Sequence, residues 1–286
     1  MRQSAGDWTF SRLKNKMTVA KQKTERKVKP VRTRQQMLQR VRLGNMVAMW
    51  AAFKGKMKPS YQKKDGTVQS DYNHFVSNNL ELSRVCLTRN EVKLGACVVQ
   101  EYQVSTGRLE PIEVSMEAGG KMRTDLSLGE LELTAETTVQ EFSNAIIANN
   151  PDHDFLSGDQ ISCFIVTQRT SGSDNLPRVH VTTSRVVLNT NDVRKLYEVV
   201  NPAGFGVVDG CLGTKSAVNG GIAWIHTSKK EGCTAVSTQR LVVNNDLLAN
   251  YTNTDAINRA IESYGGINQD EYLTPDLGGD DEIAQP

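Results

Sequence analysis

The sequence predicts a mainly β protein, an antiparallel sandwich or barrel with short inserted helices, preceded by an extended basic arm and two helices. Three observations predict this order. Residues 1–34 hold few apolar side chains among many charges, residues 35–82 repeat apolar side chains at helical spacing, and residues 83–267 are rich in short β-branched segments. Residues 268–286 form an acidic tail. Because the strand segments are interrupted too irregularly for repeated strand–helix–strand units, we expect antiparallel pairing.

Two helices are expected between the arm and the β-rich body. The first repeats apolar residues mostly at three- and four-residue steps and ends near Gly55. Its predicted packing face consists of Met46, Val47, Trp50 and Phe53. The second helix, "QSDYNHFVSNNLEL" at 69–82, starts with Ser70 or Asp71 as its N-cap. We expect the packing face to lie against a neighbouring element of this chain or of another.

Strands are expected where β-branched and aromatic residues cluster or alternate within the body. "LGACVVQEYQVSTG" is one such segment, and two short strands are expected on either side of Gly119 and Gly120. "DQISCFIVTQ" and "PRVHVTTSRVVLN" predict two further strands joined by a loop. "GGIAWIHTSKKEGCTAVSTQRLVVNN" predicts a β-hairpin with its turn at 229–232.

Three short helices are expected within the body. "TTVQEFSNAIIANN" gathers its apolar residues on one face and ends before a proline, which disfavours a helical residue in front of it. "NTNDVRKLYEVVN" predicts a short capped helix. "NTDAINRAIESYGG" predicts the last helix, with Thr254 as its cap and Gly265 as its stop.

The near-neutral total charge of +2 hides a steep asymmetry along the chain. Residues 1–64 hold eighteen Lys and Arg against two acids, a net of +16. Residues 65–286 hold the other sixteen bases against thirty acids, a net of −14. Seven acids and no base follow Arg259. The charge layout therefore describes a basic arm, a mildly acidic body and an acidic tail.

The sequence contains no recognisable catalytic motif. Its glycine-rich stretches lack both the GxGxxG spacing and a Walker lysine, and no serine or cysteine stands in a nucleophile elbow. "NNPDHDF", which holds Asp152, His153 and Asp154, fits either a metal or acid–base cluster or a solvated turn, and we favour the turn. We therefore expect no enzyme activity, no catalytic residues, and neither a cofactor nor a metal site.

Cysteine usage and hydropathy indicate the redox state of the thiols and whether the chain crosses a membrane. The five cysteines lie far apart and are odd in number, so we expect reduced, mostly buried thiols. Nothing approaches the run of about eighteen apolar residues that a transmembrane helix needs. No membrane partner is therefore expected.

The basic arm is the feature that points to a function. Its predicted contact residues are Lys21, Lys23, Arg26, Lys27, Lys29, Arg32 and Arg34. Such an arm could contact an acidic protein surface, which the body and tail of another copy offer, or it could neutralise nucleic-acid phosphates. It could also be a solvated extension without a partner. We favour protein–protein assembly, since head-to-tail packing of complementary surfaces closes into rings or runs on as filaments.

Six segments follow one another along the chain: "SRLKNKMTVAKQKTERKVKPVRTRQQMLQR", "DYNHFVSNN", "YQVSTGRLEPIEV", "GGIAWIHTSKK", "CTAVSTQRLVVNN" and "AINRAIESYGG". In this order they resemble a family of uncharacterised proteins from Bacteroidetes and crAss-like phages. They span most of the chain, and they are structural motifs, not catalytic ones.

The resemblance implies a structural subunit of a phage virion, assembled in the cytoplasm of the bacterial host. The expected assembly is a homo-oligomeric ring in the head–tail connector or tail below the portal, with about twelve copies by analogy with portal-linked phage rings. Expected partners are copies of the chain itself and adjacent virion proteins such as the portal or other rings. Packaged DNA is the secondary candidate. The alternative function is that of a basic-arm nucleic-acid-binding protein.

Overall fold

The computed structural model describes residues 2–5, 8–13, 16–21, 32–56, 61, 70–170, 174–230 and 233–267. Over the first three ranges, and at Lys230 and Cys233, it describes the backbone alone. The strands are β1 (Arg2–Ala5), β2 (Trp8–Leu13), β3 (Lys16–Lys21), β4 (Gln103–Ser105), β5 (Val114–Met116), β6 (Met122–Ser127), β7 (Gln160–Thr170), β8 (Pro177–Val187), β9 (Gly206–Val208), β10 (Cys211–Gly213), β11 (Gly220–Lys230), β12 (Cys233–Val236), β13 (Gln239–Arg240) and β14 (Val242–Asn244). The helices are α1 (Arg34–Phe53), α2 (Asp71–Asn79), α3 (Arg89–Lys93), α4 (Val139–Asn149), α5 (Leu196–Val199), α6 (Leu248–Thr252) and α7 (Thr254–Ser263), with 3-10 turns at Pro151–His153 and Pro202–Gly204.

The predicted mainly antiparallel β fold with short helices is confirmed. The main sheet has the strand order β12-β11-β7-β8, and β14 also pairs with β11. A second sheet has the order β5-β6-β10-β9, while β4 pairs with β13 and the strands β1, β2 and β3 pair with one another. All these ladders are antiparallel, and the sheets of the described residues do not close into a barrel.

The main sheet is buried on both faces. Side chains that alternate along β7 and β11 fall into two separate hydrophobic clusters. Ile161 and Trp224 pack with α4 and the second sheet, whereas Phe164 and Ile225 pack with α1 and α2 on the opposite face. Because both faces contact apolar neighbours, consecutive residues in the buried parts of the two central strands are mostly apolar and do not alternate with polar ones.

Helix α1 joins the sheet to the rest of the helical layer. Its N-cap Thr33 accepts a hydrogen bond from the backbone of Gln36, whose side chain accepts one in return, so the helix begins with a capping box. On the predicted packing face, Met46 and Phe53 are fully buried and Trp50 is partly buried. Val47 is 40% exposed, so it contributes little to the packing of α1 within this chain, and its contact with another chain stays a prediction. It lies about 100° round the helix from Met46, and Met49 fills the buried position instead.

A buried amide fixes α1 against the body. Asn45 donates through Nδ2 to the carbonyl of Val98 and to the hydroxyl of Tyr102, both at 2.9 Å. Its Oδ1 accepts from the backbone N–H of Val98 at 2.8 Å. Asn45 is fully buried, and these bonds satisfy a polar group that would otherwise be costly to desolvate.

The expected strand over "LGACVVQEYQVSTG" is present only as β4, because side-chain amides take the place of a strand partner upstream of it. Residues 96–100 are buried and belong to no strand. The backbone N–H of Val98 donates to Asn45, and that of Val99 donates to Gln168 Oε1 at 2.8 Å. The Val99 carbonyl accepts from Asn245 Nδ2 at 3.0 Å.

Two helices of the body differ from prediction at their ends. The N-cap of α7 is Asn253, not Thr254, and its side chain accepts from the backbone N–H of Ala256 at 2.8 Å. Helix α5 covers only four residues and its N-cap, Lys195, makes no capping hydrogen bond. Ser70 caps α2, and Thr138 caps α4 in a capping box.

Candidate assembly surface at the arm–tail junction

The start of α1 packs along α7, so the point where the arm ends lies beside the point where the tail begins. Met37 and Val41 of α1 share a buried cluster with Ala260 and Ile261 of α7. Ile267, the last described residue before the acidic tail, packs against the same cluster. The apolar spacing of both helices therefore brings residues more than two hundred positions apart into contact.

A direct hydrogen bond joins these two places. The guanidinium of Arg32 donates through Nη1 to the carbonyl of Gly265 at 3.1 Å. Residues 1–31 precede this bond in the chain, and residues 268–286 follow it closely. We call the surface formed by Arg32, Arg34, Arg40, Arg89, Tyr264 and Gly265 the arm–tail junction.

The end of α7 has the geometry that lets Arg32 approach. The backbone N–H of Gly265 donates to the carbonyl of Glu262, and that of Gly266 donates to the carbonyl of Ile261. These two bonds are the Schellman pattern of helix termination. Gly265 has a φ of +98°, and a Cβ there would clash with the Arg32 guanidinium. The backbone conformation favours glycine here, and a larger residue would also displace the Arg32 guanidinium. The prediction that Gly265 stops the helix is confirmed.

Helix α3 brings another arginine to the same surface. The backbone N–H of Arg89 donates to Ser263 Oγ at 2.9 Å, which fastens the start of α3 to the end of α7. Partial burial raises the pKa of the Tyr264 hydroxyl, whereas the nearby charges of Arg89 and Arg40 act in the opposite direction. Both guanidinium groups therefore act electrostatically on the same hydroxyl.

The arginines of the junction lack ion-pair partners within the part of the chain that the structure describes. Elsewhere in that part, Arg178 pairs with Asp174 at 2.7 Å and Arg194 with Asp192 at 2.6 Å. Helix α1 also has no acidic residue in its first turn, where an acid is favoured by the helix dipole. Among the described residues, the guanidinium groups of the junction are therefore not neutralised by ion pairs.

The predicted contact residues are placed unevenly. Arg32 and Arg34 lie at the junction, half-buried and exposed respectively, and Lys21 ends β3. The contact residues from Lys23 to Lys29 lie outside the described residues. The sequence interpretation missed Arg40, Arg89 and Tyr264 as part of this surface. The polar side of α1 and the first turn of α3 contain these arginines, but only the packing of α1 and α3 on α7 brings them together.

A second polar cluster lies away from the junction. His226 on β11 and Asp159 are both buried and meet through Nε2 and Oδ2 at 3.1 Å. His153 meets Asp125 at 3.2 Å, and Phe155 packs against both imidazoles. The expectation of a solvated turn over "NNPDHDF" was therefore wrong at His153, which is 8% exposed and stacks on Phe155.

The described residues were compared with the requirements of a metal site and of a membrane-spanning helix. Over the described ranges, no group of three or more His, Cys, Asp or Glu side chains is arranged to hold a metal ion. No helix among those residues is both long enough and apolar enough to cross a membrane.

Comparison of the chain with protein-family models, with curated proteins and with solved structures found no match.

Proposed function

We propose that this chain is a structural subunit of a phage virion that forms a homo-oligomeric ring in the head–tail connector or tail assembly below the portal. The observation that carries the proposal is the bond between Arg32 and Gly265. It places the root of a strongly basic segment and the root of a strongly acidic one at a single position on the body.

This arrangement suits contacts between identical copies. Residues 1–64 have a net charge of +16 and residues 65–286 a net charge of −14, so one copy offers a neighbour both signs. A heterologous contact that uses one sign on each partner repeats around a ring. Complementary charges fix the orientation and register of such contacts more than their affinity. The β-rich body holds the base of the arm in place, since the side-chain amide of Asn45 bonds α1 to the backbone of Val98.

Nucleic-acid binding is the second candidate function. The observation that favours it is the set of arginines at the junction without ion-pair partners among the described residues. Guanidinium groups match phosphate geometry, and neutralising phosphates releases counterions, which gives salt-sensitive binding without sequence preference. Packaged DNA is the polyanion that a virion ring would meet.

Charge reversal of the arm separates the two functions. Arg26, Lys27, Lys29, Arg32 and Arg34 are changed together to Glu, and assembly is followed by size-exclusion chromatography with light scattering. The ring function predicts loss of the large species with only a small decrease in the thermal melting temperature, because Arg32 and Arg34 belong to none of the buried clusters of the described residues and the Arg32–Gly265 bond is exposed. The nucleic-acid function predicts that assembly persists while DNA retention falls steeply with salt. Unchanged assembly together with unchanged DNA retention contradicts both.

A further inference from the structure

We propose that the arm–tail junction is a docking surface for an acidic polypeptide segment, and that its occupant is the chain's own C-terminal tail, residues 268–286. This contact goes beyond the proposed function, because it forms within one subunit whether or not rings assemble. Three properties carry it: the chemistry of the surface, the composition of the tail and the short chain distance between them.

The surface is built to receive carboxylates. Arg40 and Arg89 are exposed residues of α1 and α3, and both helices contact α7: the first through a buried apolar cluster, the second through the bond from the Arg89 backbone to Ser263. A guanidinium presents several donors in a planar fork that matches a carboxylate, and such charge-assisted bonds are about twice as strong as neutral ones. Arg34 opens α1, whose first turn holds no acid, so a carboxylate placed there also meets the positive end of the helix dipole.

The tail has the complementary composition. Residues 268–286 hold six acids and no Lys, Arg or His. The acids lie in two groups, at 270–271 and at 276–282. The tail also has few apolar side chains, so electrostatic attraction is the main interaction it can offer.

The tail is attached close to this surface, because Ile267, the residue before it, packs against the cluster that α1 and α7 share. Asp270 follows Tyr264 by six residues, a distance of at most about 20 Å even when fully extended. A segment tethered so closely has an effective concentration of about millimolar. An acidic segment from another molecule therefore competes at a large disadvantage.

The test uses the full-length chain and a labelled peptide with the sequence "NQDEYLTPDLGGDDEIAQP", which is residues 268–286. In a tail-neutral variant, the six acids of the tail are replaced by Asn or Gln in the intact chain. Fluorescence anisotropy should show that the peptide binds the tail-neutral chain at least about ten-fold more tightly than the natural chain, whose own tail occupies the surface. The affinity should fall as salt is raised, because the charges are exposed.

Variants in the tail-neutral background locate the binding surface. Arg40→Glu with Arg89→Glu should abolish peptide binding, whereas Lys121→Glu, an exposed residue between β5 and β6, should leave it unchanged. If the double reversal lowers the melting temperature, Arg40→Gln with Arg89→Gln removes the charges with smaller change and should still weaken binding about ten-fold.

Three outcomes would overturn the proposal. Equal peptide affinity for the natural and tail-neutral chains would mean that the tail does not occupy the junction. Binding that survives the double reversal would assign the peptide to the basic arm. No peptide binding, together with tight binding of a short DNA duplex, would make the junction a phosphate surface. None of these outcomes decides whether rings form, so failure here is distinguishable from failure of the proposed function.

Discussion

The guanidinium of Arg32 and the carbonyl of Gly265 form a hydrogen bond of 3.1 Å across 233 positions of sequence. Arg32 lies just before α1, and Gly265 follows directly after the C-cap of α7. The bond therefore joins the residue that precedes the N-cap of α1 to the glycine that follows the C-cap of α7. Two glycines with positive φ follow the C-cap of α7, and the first of them lies against the Arg32 guanidinium.

Gly265→Ala is expected to lower the free energy of unfolding by about 1–3 kcal/mol, because a non-glycine residue is strained at its φ of +98° and the new methyl group meets Arg32. Urea unfolding followed by circular dichroism measures the change. Gly266→Ala is the matched control, since its φ is +62° and its surroundings are open. In an Arg32→Ala background the cost at Gly265 should shrink. Equal costs in both backgrounds would show that Arg32 does not lie on this glycine.

Asn45→Ala is expected to cost about 1–3 kcal/mol for each of the two Val98 backbone groups left without a partner. The same urea titration measures it. Asn149→Ala serves as the control, because the Asn149 amide makes one exposed bond, to the carbonyl of Ala145. A cost at Asn45 no greater than that at Asn149 would mean that the buried amide does not hold α1 to the body.

Phe53→Ala is expected to cost about 3–5 kcal/mol, because Phe53 is fully buried and packs edge-on against Phe75 at 6.0 Å between ring centres. Val47→Ala on the same helix should change the unfolding free energy by about 0.5 kcal/mol or less, since Val47 is exposed. Thermal and urea unfolding compare the two variants. A cost at Val47 close to that at Phe53 would show that this side of α1 is covered in the protein as it exists in solution.

Stability should fall above about pH 8.5, where thiols of the unfolded chain begin to ionise. Burial raises the pKa of the Cys97 thiol to about 12, so the folded state keeps a proton that the unfolded state loses. Between those two values the unfolding free energy decreases with rising pH, by up to about 1.4 kcal/mol per pH unit for one such thiol. Urea unfolding at a series of alkaline pH values measures this slope.

Cys97→Ala provides the control for the alkaline slope. It removes this thiol and should make the decline shallower, although Cys163, whose pKa is also raised by burial, still contributes. An unchanged slope in the variant would mean that Cys97 does not remain protonated in the folded protein at those pH values.

Local patterns in the sequence predict most elements of the fold because the forces that form them are local. Caps at Ser70 and Thr138 hydrogen-bond to residues three positions away, so their signals lie within one turn. The hairpin of β11 and β12 likewise joins neighbouring segments. Where a local choice was close, as between Asn253 and Thr254, the sequence interpretation missed the cap by one residue.

Features that depend on partners distant in sequence could not be predicted in the same way. The segment around Val98 looks like a strand, but its backbone bonds go to amides of Asn45, Gln168 and Asn245. The helical spacing of α1 does not show that Met49, and not Val47, faces the sheet, because a one-residue step turns the helix by only about 100°. The junction forms only when α1 and α3 pack on α7. The charge distribution along the sequence therefore predicts the basic arm but not this surface.

The mass of the purified full-length chain in solution tests the central claim most directly. Light scattering at micromolar concentration, without nucleic acid, should detect a closed oligomer of about twelve subunits of 31.6 kDa each, and electron microscopy should show it as a ring. The charge-reversed arm variant should remain a folded monomer under the same conditions. A single 31.6 kDa species for the natural chain at every concentration, with larger particles appearing only when DNA is added, would contradict the ring function and favour nucleic-acid binding.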